Sequence, residues 1–483
     1  MAYIKTGGIL TIEGLNTDMP AEFLDDRQTP NCQNMEIDRA VLKKRDGLTP
    51  IGSSFSEVLC AGIELQRKEA RYVFGLGETK LKYLSGTVWA DVTLSGVALT
   101  ADDDYRFDLA TPMLSGSRIL VGTNTKDVLF KCTGEDMTAA ILAGSPPKCK
   151  FMIEYNAYLL LAFVYGDGDV AKPQRIQWCD TGNPENWTTG NSGAKDLIEG
   201  GTDITGLARY GSYVTVHKED GIYVGYLVTT TATFKFDRKV VTGTVANETI
   251  QELPTGEQAY VAKDGIRLFN GSNAPLIESA VNDEIKEGLN SAKLHKCWSV
   301  VAPEFGEYWV GLPMDGASYA NTVYKYNYNR KTCHLDTRTN IRCAFKYTKA
   351  GSLFKTIILG DASGNALAID PTVYDDNSVA VDAKWDSKDY SPKEQGRFGQ
   401  WIEAEVWAKG DTVTAYYSTD RGVTWTSIAV LTLASTYPAD DAPLKLYFDV
   451  VSTKFRIRFM NNVSGEVFYL KQFVIKYRNR EMR

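Results

Sequence analysis

One phrase occurs twice between Thr202 and Glu278. It is a run alternating apolar and polar residues, an acid-Gly pair, and a short strand-like run with one aromatic. The first copy is Ser212–His217, then Lys218-Glu219-Asp220-Gly221, then Ile222-Tyr223-Val224. The second is Ala259–Ala262, then Lys263-Asp264-Gly265, then Ile266-Arg267-Leu268-Phe269. Asp-Gly between alternating apolar runs is the strongest short hairpin signal, because glycine tolerates the positive φ of a primed turn. Asp220-Gly221 and Asp264-Gly265 are therefore read as blade turns. They lie about 44 residues apart, a period that marks the blades of a β-propeller when its units are short antiparallel strands.

Similar series fill most of the chain. Leu59–Leu94, Tyr105–Phe130 and Phe151–Trp187 supply three further blades, and Cys297–Tyr326 a sixth. Ala344–Asp370 makes a seventh, so six to seven are expected. One helix is predicted over Ser279–Leu289, with an acidic first turn and Val281, Ile285 and Leu289 on one face. Residues 1–55, rich in turns and poor in core residues, read as an extended arm ending in a hairpin strand. Residues 56–370 are read as the propeller. After Pro371 the phrase changes. Residues 371–483 carry strands at Trp401–Trp407, Val413–Ser418, Leu444–Val451, Phe455–Asn461 and Phe468–Lys476, which suit a small β-sandwich with a basic tail. The expected class is all-β: a propeller, an N-terminal arm and a C-terminal sandwich-like domain.

Forty-one glycines against sixteen prolines suit many tight turns. A net charge of −7 argues against a dedicated nucleic-acid binder, whose face must neutralise phosphates, although DNA can slide past such a surface. No apolar run is long enough to span a membrane, and the first residues lack a secretory apolar segment, so a soluble chain made in a cytosol is expected. Eight scattered cysteines without paired spacing read as reduced, packed thiols; Cys333, His334 and Cys343 form the one close group.

Catalytic signals are weak. Ser418-Thr419-Asp420-Arg421-Gly422-Val423-Thr424-Trp425 fits the Asp-box hairpin of sialidases, in which Ser418, Asp420, Gly422, Thr424 and Trp425 build a turn remote from chemistry. Glycoside hydrolysis needs two carboxyl groups at a set separation, and no motif marks such a pair. His217, His295 and His334 read as packing or surface residues. Nucleophile elbow, P-loop and dinucleotide fingerprints are absent from the sequence. Asp102–Asp104, Asp375-Asp376 and Asp440-Asp441 lack the spacing that wraps calcium and read as solvated turns. No enzyme activity, cofactor or metal is expected.

Four segments resemble tail proteins of short-tailed bacteriophages. They are Asn34-Met35-Glu36 through Arg45-Asp46-Gly47-Leu48; the loop Trp178, Asp180, Gly182-Asn183-Pro184-Glu185 and Trp187; Asp264-Gly265-Ile266-Arg267 with Gly271 and Ile277; and the Ser418–Trp425 box with Phe455–Arg458. In the second, Cys179 and Asn183 stand where that family has Ser and Asp. The family is the tail nozzle, also called tail hub, tail tubular or packaged-DNA stabilisation protein. The resemblance implies a hexameric ring below the portal and head-tail adaptor, with a central channel for the genome and no catalysis. Tail fibre, spike or needle proteins would be its further partners. DNA would pass only transiently, and the chain would reside in the virion tail after assembly in the host cytoplasm. The alternative is a host-glycan-binding or depolymerising tail protein on the same scaffold. A WD40-like scaffold is a weaker third, because the paired Gly-His and Trp-Asp signatures are missing.

Overall fold

The computed structural model describes residues 4–6, 14–38, 41–228, 233–278, 280–349, 351–392, 397–437 and 442–480. It is nearly all strand, and its strand pairing forms a seven-bladed propeller with a β-sandwich attached. Each blade is built from antiparallel strands counted outward from the axis, and blade 2 adds a parallel outer strand, Thr93–Ser95 beside Thr138–Ile141. The innermost strands are Leu59–Arg67, Asp108–Ala110, Cys149–Tyr155, Ile204–Tyr210, Gln251–Glu252, Trp298–Ala302 and the second half of Thr332–Tyr347. Each innermost strand packs against the next, and the seventh packs against the first, so the ring closes.

The burial pattern explains the sequence. Every gap between adjacent blades holds its own apolar cluster. Phe151, Tyr158 and Trp178 of blade 3 meet Val214, Val216 and Phe234 of blade 4, and the seventh gap, between blades 7 and 1, holds Phe345, Phe55 and Trp89. A blade is therefore covered on both faces, and its central strands read as continuous apolar runs. Tyr158–Val164 is buried at all seven positions. The predicted helix forms over Asn282–Gly288 and inserts Val281 and Ile285 into the cluster between blades 5 and 6.

Blades 6 and 7 share one strand. Thr332–Tyr347 pairs with Ala320–Asn327 through its first half and with Thr356–Asp361 through its second. The change of partner falls at Asn340, in the left-handed region at φ 59°. Blade 7 is then completed by the N-terminal strand Gly47–Pro50, which pairs antiparallel with Ala366–Asp370. The ends of the propeller sequence are thereby joined within one sheet, which removes an exposed edge.

The arm is extended, and the packing does not respect a boundary at 55. Met35–Asp38 and Val41–Lys44 form a hairpin whose second strand pairs with Phe468–Arg480. Asn31–Gln33 pairs with Ala383–Asp386 in the opposite sheet. The sandwich thus encloses Met35 and Leu42 of the arm with Trp385, Trp401, Phe455, Phe459 and Phe473. The hairpin Asp375–Ala380 sides with the propeller, since Asp376 pairs with Leu48. A segment with no core of its own is ordered by lending alternate side chains to two others.

Candidate functional site

Two polar regions stand out: the propeller axis and the junction between propeller and sandwich. The axis holds a cavity of 430 Å³ lined by all seven innermost strands. An innermost strand has one unpaired edge, and its backbone groups need partners. Side chains from neighbouring blades supply them. Asp108 Oδ2 accepts from Met152 N at 2.9 Å, Arg209 Nε donates to Glu154 O at 2.9 Å, and Asn247 Oδ1 accepts from Leu207 N at 2.9 Å. Further round, Gln251 Nε2 donates to Ser299 O at 3.2 Å and Lys346 Nζ to Val301 O at 3.0 Å. Glu64 Oε1 accepts from Thr348 N at 2.9 Å, and Arg67 Nη1 donates to Arg118 O at 2.9 Å. Every pair of adjacent blades is stitched this way.

The charges at the mouth of the axis are committed too. Arg106 pairs with Glu248 and lies 4.8 Å from the Phe151 ring centroid. Arg342 donates to the carbonyls of His295 and Tyr105. Burial pushes the Asp108 carboxyl up to about 7. The Asp102–Asp104 loop, expected to be solvated, instead ties blades together. Lys296 Nζ donates to Asp103 Oδ2 at 2.7 Å, Tyr319 Oη to the same oxygen at 2.6 Å, and Lys293 Nζ to Asp104 Oδ1 at 2.7 Å. The charges of Asp103 and Asp104 are matched by lysines almost 200 residues away, which local sequence does not show.

At the junction, Arg45 is 1% exposed. Its Nη1 and Nη2 donate to Asp376 Oδ1 and Oδ2 at 2.8 and 2.5 Å, and its Nε to Asn34 Oδ1 at 2.9 Å. Further donations reach Asp46 O and Thr337 O. Asn34 Nδ2 donates to Thr337 Oγ1 and to Asp382 O, both at 2.8 Å. Buried Asp336 lies 2.8 Å from Lys325 Nζ, 3.3 Å from Arg338 Nη2 and 3.5 Å from Arg45 Nε. These cations hold its carboxyl below the usual range against the pull of burial. The Asn34…Arg45-Asp46-Gly47 segment is therefore a latch joining arm, propeller and sandwich. Asp376, expected in a solvated turn, is its anchor, and Asp440-Asp441 lie outside the described residues.

The remaining predicted residues occupy turns. Lys263-Asp264 is a two-residue loop and Gly265 has φ 127°; Ile266 N beside it donates to Asn282 Oδ1 at 3.0 Å. Asp264 is paired with Arg267 at 2.5 Å. Glu219-Asp220 closes the other hairpin, but Gly221 is not at positive φ. A Cβ there would lie 2.8 Å from Arg238 Nε and 2.9 Å from Val240 O, so close approach, not turn type, explains the glycine. Asp180 gathers its own loop, accepting from the backbone N–H groups of Thr181 and Asn191 at 2.9 and 2.8 Å. Trp178 Nε1 donates to Asn191 O and Trp187 Nε1 to Pro184 O.

In the Asp-box hairpin, Ser418 Oγ donates to Asp420 Oδ1 at 2.7 Å, and Asp420 accepts from Thr424 N at 2.9 Å. The Thr424 hydroxyl, which also donates to Asp420, together with Thr424 N and Ser418 Oγ, holds the Asp420 carboxyl down to about 2. Gly422 has φ 87°, and the Trp425 ring lies 3.8 Å from the Arg458 guanidinium carbon. The box closes the Thr412–Ser418 and Thr426–Thr432 hairpin of the sandwich.

No nucleophile emerges from the cysteines, which are all buried and form no disulfide. Burial pushes the Cys343 thiol up to about 12 and Cys179 to about 11. Cys333 and Cys343 face different blade gaps, so Cys333, His334 and Cys343 do not converge. His217, His295 and His334 are each held down to about 4, chiefly by burial. Among the described residues, no group of three or more His, Cys, Asp or Glu side chains is placed to hold a metal.

No family model and no curated protein matches the chain. Among solved structures, YCF48 from Cyanidioschyzon merolae is 11% identical, with 67% of this chain and 99% of that one covered and a TM-score of 0.40. The extracellular domain of a putative hybrid two-component system from B. thetaiotaomicron is 10% identical, covering 84% and 50%, at 0.42. An exo-β-1,3-galactanase from Phanerochaete chrysosporium is 9% identical, covering 89% and 100%, at 0.30. These likenesses are too distant to carry an argument, and the propeller rests on its own strand pairing.

Proposed function

We propose that the chain is a structural, non-catalytic virion protein: a subunit of a six-membered nozzle or hub in a short phage tail. Beneath the portal and adaptor it retains the packaged genome, forms the exit channel and anchors other tail parts. The supporting observation is the use to which the residues of the resemblance are put. Asn34 and Arg45 latch the arm, Asp180 and Trp187 order a loop of blade 3, Asp264 and Gly265 shape a hairpin of blade 5, and Ser418 to Trp425 close one in the sandwich. All of them maintain shape. The 430 Å³ axial cavity is crossed by interblade bonds and has no room for a duplex whose major groove alone is about 12 Å wide. The genome path in this reading runs between subunits, along acidic surfaces that repel phosphate. Attachment surface is available on the sandwich. Among the described residues, Thr426–Thr432 and Leu444–Ser452 each pair on one side only, and Val430 and Tyr447 are exposed.

Phage particles assembled without the chain test this reading. Heads that fill with DNA and then lose it, restored by adding the purified chain, are expected. Particles that keep their DNA but no longer bind or cut host polysaccharide would replace it with the glycan reading.

A further inference from the structure

One end of the sandwich has an edge without a partner. Leu444–Ser452 pairs with Phe398–Gly410 on one side, and among the described residues no strand pairs with its other side. Its side chains alternate. Lys445, Tyr447, Asp449 and Val451 are exposed, while Leu444, Leu446, Phe448 and Val450 belong to the core face. The core is unfinished there: Leu446 is buried, but Leu444, Phe448 and Val450 are only partly covered. A nine-residue edge with apolar groups on both faces is a template for another strand. One feature opposes pairing. The register with Phe398–Gly410 shifts between Val450 and Tyr447, and such a bulge can end a ladder. The alternation of exposed and covered side chains nevertheless continues through it.

The sequence of this edge is its own complement. Antiparallel pairing of two copies about Tyr447 sets Lys445 opposite Asp449 of the second copy, twice, and Tyr447 opposite Tyr447, all on the exposed face. On the core face Leu446 meets Phe448 and Leu444 meets Val450. Opposite charges and aromatic pairs directly across an antiparallel ladder stabilise it, and like charges destabilise it. Neighbouring registers lack this match. A shift of one residue sets exposed side chains opposite covered ones, and a shift of two leaves Lys445 opposite Tyr447 or Val451. Both charges are available. The Lys445 side chain is 49% exposed and lies 4.0 Å from Glu403, which Lys476 already holds at 2.8 Å. Asp449 accepts from Gln400 Nε2 at 2.5 Å and has no ion-pair partner among the described residues.

We propose that Leu444–Ser452 is a self-association strand: two copies of the free chain pair these edges antiparallel about a two-fold axis at Tyr447, which joins their sandwiches through one continuous sheet. The contact is isologous, unlike the head-to-tail contacts that close a ring, and it holds whether or not the chain belongs to a phage tail.

Sedimentation of the full chain over a concentration series tests the contact, and introduced cysteines test its register. A two-copy species that grows with concentration is expected. Lys445→Asp or Asp449→Lys sets like charges opposite each other twice and should weaken association by about tenfold. The double variant restores opposite charges and should recover wild-type association, which a purely local effect of either change would not do. Under mild oxidation Tyr447→Cys should link two copies, because its Cα would lie about 5 Å from its mate, within disulfide range. Val451→Cys, opposite Pro443, should not link. The native cysteines are all buried, so they do not compete. A chain that stays single, a double variant no better than the single ones, or linking through Val451→Cys in place of Tyr447→Cys overturns the proposal. A six-subunit ring in which Tyr447→Cys does not link also overturns it, and leaves the nozzle reading standing.

Discussion

Replacing Arg45 by methionine tests the latch most severely. The substitution keeps much of the apolar stem and removes the charge. It deletes two donations to Asp376, one to Asn34 and two to backbone carbonyls. Asp336 keeps Lys325 and Arg338, but Asp376 keeps only Arg338 at 3.5 Å. Removing one member of a buried ion pair costs about 3–5 kcal/mol, because the partner remains buried without compensation. For a cooperative unit of the sandwich's size that is a fall in Tm of roughly 10 °C or more. The control is Arg175→Met. The pair Arg175–Asp196 has equally good geometry, two bonds of 2.7 Å, but its side chains are 29% and 45% exposed. An exposed pair contributes about 0–1 kcal/mol. Urea unfolding followed by tryptophan fluorescence, with Asp376→Asn and the double variant to complete a cycle, gives both numbers. The reasoning is refuted if Arg45→Met shifts the midpoint no more than Arg175→Met does.

Further outcomes follow from other contacts of the fold. Leu48, 2% exposed in the strand that completes blade 7, should cost about 2–5 kcal/mol as Leu48→Ala, and removing residues 1–50 should yield aggregating protein, seen by light scattering. His217, His295 and His334 have folded-state values near 4, below the ordinary 6.5, so they favour the fold while neutral. Their contribution is complete above about pH 6.5 and is lost as pH falls toward 4, up to about 3 kcal/mol for a fully buried histidine; unfolding midpoints should show a shallower acid slope in His217→Gln. Gly422→Ala puts a Cβ at φ 87°, 2.7 Å from Arg456 Nη1, and should lower the sandwich transition by about 1 kcal/mol or more in calorimetry.

What the sequence discloses depends on how far a residue's partners lie from it. The Asp264-Gly265 hairpin, the helix after Ser279 and the strands from Trp401 to Lys476 are legible because period and turn chemistry act over a few residues. Gly221 is placed correctly for a different reason, since Arg238 and Val240, not its own φ, exclude a side chain. The arm is the largest gap. Asn31–Lys44 reads as a stretch without a core because its partners are Ala383–Asp386 and Phe468–Arg480, more than 300 residues later. The same holds for the junction: Arg45 needs Asp336 and Asp376, and Asp103 needs Lys296. Acid runs are read as solvated wherever the cation that buries them is remote. The axial stitching is invisible for a related reason, because its acceptors are backbone groups, which any residue carries.

The central claim is that this chain is a ring-forming structural subunit, and native mass is its most direct test. Light scattering on the purified chain, alone and with the head-tail adaptor, should give a six-subunit ring in at least one condition. A monomer or trimer that ignores the adaptor and binds or cuts host polysaccharide would contradict it.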